Sequence, residues 1–448
     1  MTEGVERCST PFFNLVIMNI EKLYEAYLAS KGVSTDTRTI AEGTLFVALK
    51  GDNFDANTMI DQAIEKGASH IVTTNKAYQN NSKVTVVDDT LLTLQQLAAY
   101  HRLQLNIPIV GITGTNGKTT TKELVSAVLR KKYNVYNTKG NLNNHIGVPL
   151  SLLSITPEHD MAVIEMGASH LGEISELAAM VKPTAGLITN VGIAHIQGFG
   201  SFEGVKKTKG ELYTQLKSTN GTIFINATNE HLVEMLGDYE HTISYGTDME
   251  QCLLDGHVVE MSETLNFEWR YNNSNYRTVH THLTGAYNLE NALAAAAVGS
   301  FYGVSEADIC EAISEYVPSN NRSQIVVTKR NRLILDAYNA NPSSMNASID
   351  NFASLNGENK TLVLGAMREL GQEQDAQHLN IMQKISKLGF ESVYLVGDEF
   401  RTFANQFPQY KIVSQATDLL ADMSELSNRY ILIKGSRSNK LEILVDKL

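Results

Sequence analysis

Cysteine is scarce in this chain. Cys8, Cys252 and Cys310 are the only three in 448 residues, and they stand far apart. They form neither a zinc-ligand spacing nor a disulfide framework, so the chain reads as one for a reducing, cytoplasmic compartment. No apolar run reaches the roughly 20 residues that a membrane-spanning helix needs. The apolar stretch from Pro11 to Ile20 lacks the basic start and small-residue cleavage site of a signal peptide. Basic charge is also in short supply: 37 Lys and Arg against 49 Asp and Glu give a formal net charge of −12. That balance excludes nucleic acid or an anionic membrane as a partner of the whole surface. It does not exclude a phosphorylated ligand, which a few buried cations and backbone donors can hold. Internal repeats and low-complexity tracts are lacking as well.

What is present is an ordinary globular composition, 43% hydrophobic and 19% charged, in a length that predicts about three domains. The expected divisions are residues 1–104, 105–318 and 319–448. Met18 reads as a better start than Met1, so residues 1–17 are expected to be a dispensable extension. Residues 18–104 carry short strands and helices, with a turn at Lys50-Gly51-Asp52. From Ile107 the texture changes to strand–helix alternation. Apolar runs at Ile107–Ile112, Met161–Ile164, Ala185–Thr189 and Thr222–Ile225 have strand length. Leu124, Val125, Val128 and Leu129 share one helical stripe, and Ile174, Leu177, Ala178 and Val181 share another that stops before Pro183. Such alternation predicts a parallel sheet with helices on both faces. Pro318 to Asn321 reads as a linker, and a second, smaller α/β unit follows, with strands at Leu333–Leu335, Thr361–Leu364, Val393–Val396 and Tyr430–Ile433.

The strongest local signal is Gly111-Ile112-Thr113-Gly114-Thr115-Asn116-Gly117-Lys118-Thr119-Thr120. It follows an apolar strand and opens a helix, as a phosphate-binding loop must. Glycines let the backbone turn tightly enough for several N–H groups to face one anion, and the helix start adds positive potential. Lys118 is placed to bridge terminal phosphates, and the Thr119 hydroxyl to meet Mg²⁺. The glycines stand at 111, 114 and 117, with Ile112 where the strict Walker pattern has glycine.

Other chemistry-bearing residues fall at strand ends. Glu165 ends the second apolar strand and reads either as a ligand of Mg²⁺ or as a solvated carboxylate. His195, beyond the third strand, reads either as a functional group or as a structural histidine. The Lys206-Lys207-Thr208-Lys209 run reads most simply as a solvated basic helix face or a second phosphate patch.

These segments together resemble the Mur ligases. The resemblance rests on the loop 113–120, Glu165, the Asn190–His195 segment, Lys209-Gly210-Glu211-Leu212-Tyr213, Gly285-Ala286-Tyr287-Asn288-Leu289-Glu290-Asn291, and the Arg322 and Asp336 pair. It extends to Asp36-Thr37-Arg38 with the segment 43–51, to the segment 140–150, to the segment 336–345, and to 365–371 with His378. It covers essentially the whole chain after Met18. Four positions depart from the family pattern: Tyr287 replaces a usual His, Ala366 a usual Asp, and Ala56-Asn57 a usual Gly-His. None of them removes a metal or phosphate group.

The resemblance implies a small UDP-binding α/β domain, a central P-loop parallel-sheet ATPase domain and a Rossmann-like C-terminal domain. It implies an ATP-dependent, ADP-forming amide ligase of peptidoglycan precursor synthesis. Its small-molecule substrates would be UDP-N-acetylmuramoyl-tripeptide and D-alanyl-D-alanine. The tripeptide carboxylate would take the γ-phosphoryl group of ATP, and the dipeptide amine would then displace phosphate from the acyl phosphate. Lys118, Glu165, His195 and a carbamylated Lys209 would be catalytic. Thr119, Glu165, His195 and Lys209 would hold two Mg²⁺ ions. Gly114, Thr115, Asn116, Gly117, Lys118, Thr119, Thr120, Asn288, Asn291, Arg322 and Asp336 would bind the nucleotide, although Asn288 could equally cap the Ala-rich helix that follows it. Asp36, Thr37 and Arg38 would bind the UDP-sugar, and Asn143 and Asn144 would face the muramoyl group. Tyr338, Asn339, Asn341 and Arg368 would face the dipeptide, while Met367 packs. No nucleic acid or membrane enters this reading, and a monomer is the default.

The competing readings are a P-loop nucleotide switch, another ligase of the superfamily such as a folylpolyglutamate synthetase, and an inactive paralogue. The chain has no Asn-Lys-x-Asp guanine motif: Asn75-Lys76-Ala77-Tyr78 breaks it and precedes the loop. The segment 336–345 and the N-terminal domain speak against the other ligases, and Lys118, Glu165 and His195 against an inactive chain. A chain beginning at Met18 is expected to fold with an unchanged melting temperature; loss of folding on that truncation would refute the extension.

Overall fold

The computed structural model describes residues 11–319 and 321–448. Residues 1–10 of the expected extension and Asn320 of the expected linker lie outside the described residues. Residues 11–17 open the helix Pro11–Leu28.

The described chain builds three sheets. The first has four short parallel strands in chain order, Val33–Ser34, Leu45–Val47, His70–Thr73 and Val84–Val86. Phe46, Ile60, Ala63 and Ile71 close its own small core. The helix Thr90–Gln104 leaves this unit, with the Asp89 carboxylate accepting from the Leu92 N–H at its start. Leu94, Leu97 and Ala98 of that helix pack with Ile109, Leu152, Ile164 and Leu177 in one continuous core. The buried Arg102 seals its end, donating to the Val181 and Lys182 carbonyls at 2.8 and 3.0 Å. The helix therefore joins the first unit rigidly to the second.

The second sheet has nine strands. Ile109–Thr113 lies between Met161–Glu165 and Ala185–Ile188, both parallel to it. Val135–Asn137 lies beyond Met161–Glu165, and Thr222–Asn226, Thr242–Thr247 and Leu254–Met261 continue the parallel order on the other side. The expected parallel sheet is there, and beyond it this edge adds antiparallel strands that the alternation did not mark. Thr264–Tyr271 runs antiparallel to both Leu254–Met261 and Arg277–Thr284. Only Ser262 and Glu263 separate the first two of these strands, and a link that short can only reverse direction. Thr264–Tyr271 also alternates, burying Leu265, Phe267 and Trp269, the pattern of a strand covered on one face.

The third sheet orders Gln324–Val327, Arg332–Asp336, Tyr430–Lys434, Lys360–Gly365, Ser392–Val396 and Lys411–Val413. The first pair is antiparallel and the rest are parallel. Register sets Asp336 beside Lys434 at the carboxyl ends of adjacent strands.

Two helices of the second unit pack closely because the interface is small. Ala292, Ala295 and Ala296 of the helix Asn288–Phe301 are buried. A Cβ on Gly299 would lie 2.4 Å from Val128 Cγ1 of the helix Lys118–Arg130. Gly299→Val is expected to force these helices apart and to cost about 1–3 kcal/mol, read from the shift in the urea unfolding midpoint. An unchanged midpoint would contradict the close approach.

Candidate active site

The strands Ile109–Thr113, Met161–Glu165 and Ala185–Ile188 end at one sheet edge, and the helix Lys118–Arg130 starts there. The carboxyl edge of a parallel sheet brings strand-end side chains to a helix N-terminus, a natural anion site. Gly114 has φ +145, and a Cβ there would fall 2.0 Å from Thr189 Oγ1. Gly117 has φ +77, and a Cβ there would fall 2.5 Å from Asn291 Oδ1. The segment 189–192 clamps the loop. The Thr115 N–H donates to the Asn190 carbonyl at 2.9 Å, the Asn116 N–H to Asn190 Oδ1 at 3.0 Å, and the Thr189 hydroxyl to the Asn116 carbonyl at 2.6 Å.

Lys118 folds back on its own loop, donating to the Gly114 and Thr115 carbonyls at 2.8 and 2.9 Å. Burial pushes its pKa down; the Arg322 charge adds to that, and Glu165 opposes it. An anion beside both cations would stabilise their charged forms.

Glu165 is 1% exposed, which disposes of the solvated alternative. Its carboxylate accepts from the Thr119 hydroxyl at 2.9 Å and from the Asn143 amide at 2.7 Å. Its own N–H donates to Thr138 Oγ1 at 3.0 Å. A hydroxyl against a carboxylate, both at the cavity wall, is a hard-oxygen pair suited to Mg²⁺.

The Lys206–Lys209 run is not a solvated face. Lys206 is buried against Glu234 at 2.7 Å, and Lys209 is 2% exposed. Only Lys207 of the three lysines is exposed. Lys209 Nζ reaches the Ala168 carbonyl at 3.4 Å and lies 5.2 Å from the Phe199 ring centre. Burial, with the Lys118 charge nearby, brings its pKa down to about 7. His195 stands edge-on to the same Phe199 ring, with a left-handed backbone at φ +52. Burial lowers its pKa, and the Glu369 carboxylate in contact with Nδ1 opposes that. Among the described residues no three His, Cys, Asp or Glu side chains cluster as a metal site. A metal beyond Thr119 and Glu165 would therefore need an oxygen that the bare Lys209 amine does not have.

The C-terminal unit closes the site. Asn341 Nδ2 donates to Asn116 Oδ1 at 2.7 Å, and Ser343 Oγ accepts from the Ile193 N–H at 3.2 Å. Asn341 caps the helix Pro342–Ser354 in a reciprocal box with Ser344, so this second helix start also points at the phosphate loop. Arg322 lies 3.7 Å from the Tyr338 ring centre, and Arg437 covers the same ring at 5.5 Å. Asp336 pairs with Lys434, which is 2% exposed. Removing either partner would strand a charge at a cost of about 3–5 kcal/mol.

A cavity of about 970 Å³ collects these groups. Thr115 to Thr120, Asn143, Asn144, Glu165, His195, Asn288, Asn291, Arg322, Asp336, Tyr338, Asn339 and Asn341 all line it. Gly114 and Lys209 are buried and do not line it. Asn144 accepts from the Ile146 and Gly147 N–H groups, and Asn339 from the Ala340 N–H, so both also shape their own turns. Asn288 does not act as a helix cap. Its amide donates to the Thr284 carbonyl at 2.7 Å, and a chain of hydrogen bonds runs on through Asn291 to the Thr121 hydroxyl. Asp36, Thr37 and Arg38 lie outside the cavity lining, with the exposed Arg38 forked onto Asp36 and holding that carboxyl at about 2. Arg368 lies outside it as well, paired with Glu399 and donating to Ser438 Oγ at 3.2 Å. Sequence reasoning missed Lys434, Glu369 and Glu290. Lys434 left a trace, a charge closing the otherwise apolar strand Tyr430–Lys434; Glu290 and Glu369 stand inside the segments 285–291 and 365–371, where the motif marked the stretch but not these side chains.

The Mur ligase middle-domain family model matches residues 112–299, and the Mur ligase glutamate ligase domain matches residues 321–437. The chain is 34% identical to the UDP-N-acetylmuramoyl-tripeptide–D-alanyl-D-alanine ligase of Bacillus subtilis, over 96% of this chain and 98% of that protein. Its fold is similar to that of MurF from Acinetobacter baumannii, with a TM-score of 0.85, 28% identity, and 96% and 98% of the two chains covered. It is also similar to the MurF ligase from Thermotoga maritima in complex with ADP, with a TM-score of 0.82, 26% identity, and 94% and 97% covered.

Gly117→Ala is expected to destabilise the chain by about 1 kcal/mol or more and to weaken ADP binding at least about tenfold, since the loop must move off Asn291. Calorimetric titration with ADP checks this, and full affinity in the variant would refute the role of that close approach.

Proposed function

The chain belongs to the Mur ligase family, and we propose that it joins D-alanyl-D-alanine to UDP-N-acetylmuramoyl-tripeptide at the expense of ATP, giving ADP and phosphate. The observation that carries this reading is the single cavity in which the phosphate loop, Glu165 and His195 face Arg322, Asp336 and Asn341 of the C-terminal unit. A carboxylate and a triphosphate repel each other, so the site must supply cations between them.

The residues divide that work. The loop backbone and Lys118 hold the phosphates, and Arg322 approaches them from the C-terminal unit. Asp336 faces the ribose, while Asn288 and Asn291 set the wall beside the phosphate loop. Thr119 and Glu165 would hold one Mg²⁺ through hard oxygens, and that ion would supply charge neutralisation to the transferred phosphoryl group. The Lys209 amine is buried, and its pKa is lowered to about 7. A neutral amine adds CO₂ and loses a proton to become a carbamate, so carbamate is favoured as pH rises through that value. The carbamate oxygens with His195 would complete a second Mg²⁺ site. Asn143 and Asn144 face the muramoyl end and Tyr338, Asn339 and Asn341 the dipeptide. Asp36, Thr37 and Arg38 hold the UDP end on the first sheet, and Arg368 reaches the dipeptide site only by leaving Glu399. The enzyme works as a cytoplasmic monomer, without a nucleic-acid or membrane partner. No described helix is long and apolar enough to cross a membrane.

ATP-dependent phosphate release is expected to require both UDP-N-acetylmuramoyl-tripeptide and D-alanyl-D-alanine, with a UDP product heavier by one dipeptide less water. Lys209→Ala and removal of bicarbonate are each expected to reduce it at least about tenfold. Release without any acceptor would return the chain to the nucleotide-switch reading. Release only with a single diamino acid and the shorter precursor would assign it to another member of the family.

A further inference from the structure

Two fully buried polar residues take no part in the work divided above. Lys122 stands on the helix Lys118–Arg130, and Thr138 follows the strand Val135–Asn137. Neither lines the cavity. An ammonium group is costly to bury, so the group it holds is informative.

Lys122 Nζ donates to the Thr138 carbonyl at 2.7 Å. Its counter-charge is the neighbouring Glu123 carboxylate at 2.6 Å, which is partly exposed and also accepts from the Asn137 amide at 3.1 Å. Thr138 in turn holds Glu165. The Thr138 N–H donates to the Val163 carbonyl at 3.1 Å, and Thr138 Oγ1 accepts from the Glu165 N–H at 3.0 Å. The hydroxyl thus adds one rung to the pairing of Val135–Asn137 with Met161–Glu165, where the chain leaves the sheet. The chain then returns: Asn143 donates to Glu165 Oε1 at 2.7 Å, and its carbonyl accepts from the Gly167 N–H at 2.7 Å. Glu165 Oε2 accepts from the Thr119 hydroxyl at 2.9 Å.

Thr119 and Lys122 are three apart on one helix and so share a face. The contacts therefore close into a ring: Thr119 to Glu165, Glu165 to Thr138, Thr138 to Lys122, and back to Thr119 along the helix. An apolar side chain of similar length would fill the volume of Lys122 but leave the Thr138 carbonyl without this donor. We infer that Lys122 is a positioning residue for the divalent cation: acting through Thr138, it fixes the Glu165 carboxylate against the Thr119 hydroxyl. The inference rests on the proposed nucleotide site, with Thr119 and Glu165 as ligands of one Mg²⁺. Mg²⁺ tolerates little departure from its preferred geometry, so it is the ligand most sensitive to the separation of those two oxygens.

Calorimetric titration of the full chain with ADP, over a series of Mg²⁺ concentrations and in EDTA, tests this. In the native chain Mg²⁺ is expected to tighten ADP binding. Lys122→Met and Thr138→Val are each expected to raise the Mg²⁺ concentration at half effect by about tenfold or more while leaving metal-free ADP affinity within about threefold, as when a group that orients a metal ligand is lost. Thr138→Ser keeps the hydroxyl and is expected to stay near the native value. A thermal melt without ligand establishes folding, which an apolar replacement of a buried charge often preserves. An unchanged Mg²⁺ dependence in folded variants would overturn the inference and leave the nucleotide site standing. Equal weakening with and without Mg²⁺ would overturn it as well, assigning the ring to the phosphate loop. Unfolding of both Lys122→Met and Thr138→Val would overturn it by assigning the ring to the fold. Native ADP binding with no response to Mg²⁺ would remove the Thr119 and Glu165 metal pair and this inference with it, whereas no ADP binding at all would remove the proposed function.

Discussion

The site depends on two approaches that are too close for any side chain. At Gly114 the phosphate loop passes against Thr189, and at Gly117 it passes against Asn291. Both glycines are at positive φ, where a side chain would be strained even in open space. These contacts tie the loop to the strand on one side and to the Asn288–Phe301 helix on the other. Loop, strand end and helix therefore behave as one block, and the backbone donors have a fixed direction. A preorganised donor set does not have to reorganise when charge develops on a transferring group.

Around that block the charges are arranged by burial rather than by number. Net charge is −12, yet Lys118, Arg322 and Lys434 line one cavity. Lys209 is buried and Lys118 half-buried, and the Lys118 charge lowers the affinity of Lys209 for a proton. That repulsion prepares the site for a polyanion and leaves Lys209 easily deprotonated. The same buried helix face that hides Lys209 also turns Lys206 onto Glu234, which is why a run of three lysines presents a single charge to solvent.

The two α/β units meet across this block through few but directed contacts. Asn341 spans from a helix cap to Asn116, Ser343 receives the Ile193 N–H, and Glu369 reaches His195. Each side contributes a helix start facing the cavity. Neither unit alone holds both the phosphate loop and the Arg322, Asp336 and Lys434 group, so a complete site exists only when they are docked. The first unit differs in kind: its long helix shares a hydrophobic core with the second, and it moves with it.

Much of this was legible in the chain itself. The strand–helix alternation, the phosphate loop and the resemblance to a ligase family follow from local patterns, because periodicity and glycine spacing act over a few residues. Glu165 and His195 were marked by standing at strand ends. Local pattern could not reveal that Thr264–Tyr271 reverses the sheet edge, although the two-residue link was there to read. It could not separate Lys206 and Lys209 from a solvated face, since burial of a lysine depends on what packs over its helix. Nor could it find Glu290, Glu369 or Lys434, whose neighbours come from segments distant in sequence. Asp36, Thr37, Arg38 and Arg368 stand outside the cavity for the same reason: motif order places a residue along the chain, not in space. Sequence alone determined most of the α/β alternation, the glycine-rich loop between strand and helix, and the family. Tertiary structure alone decided which charges are buried together, because desolvation and pairing depend on distances that only the folded chain defines.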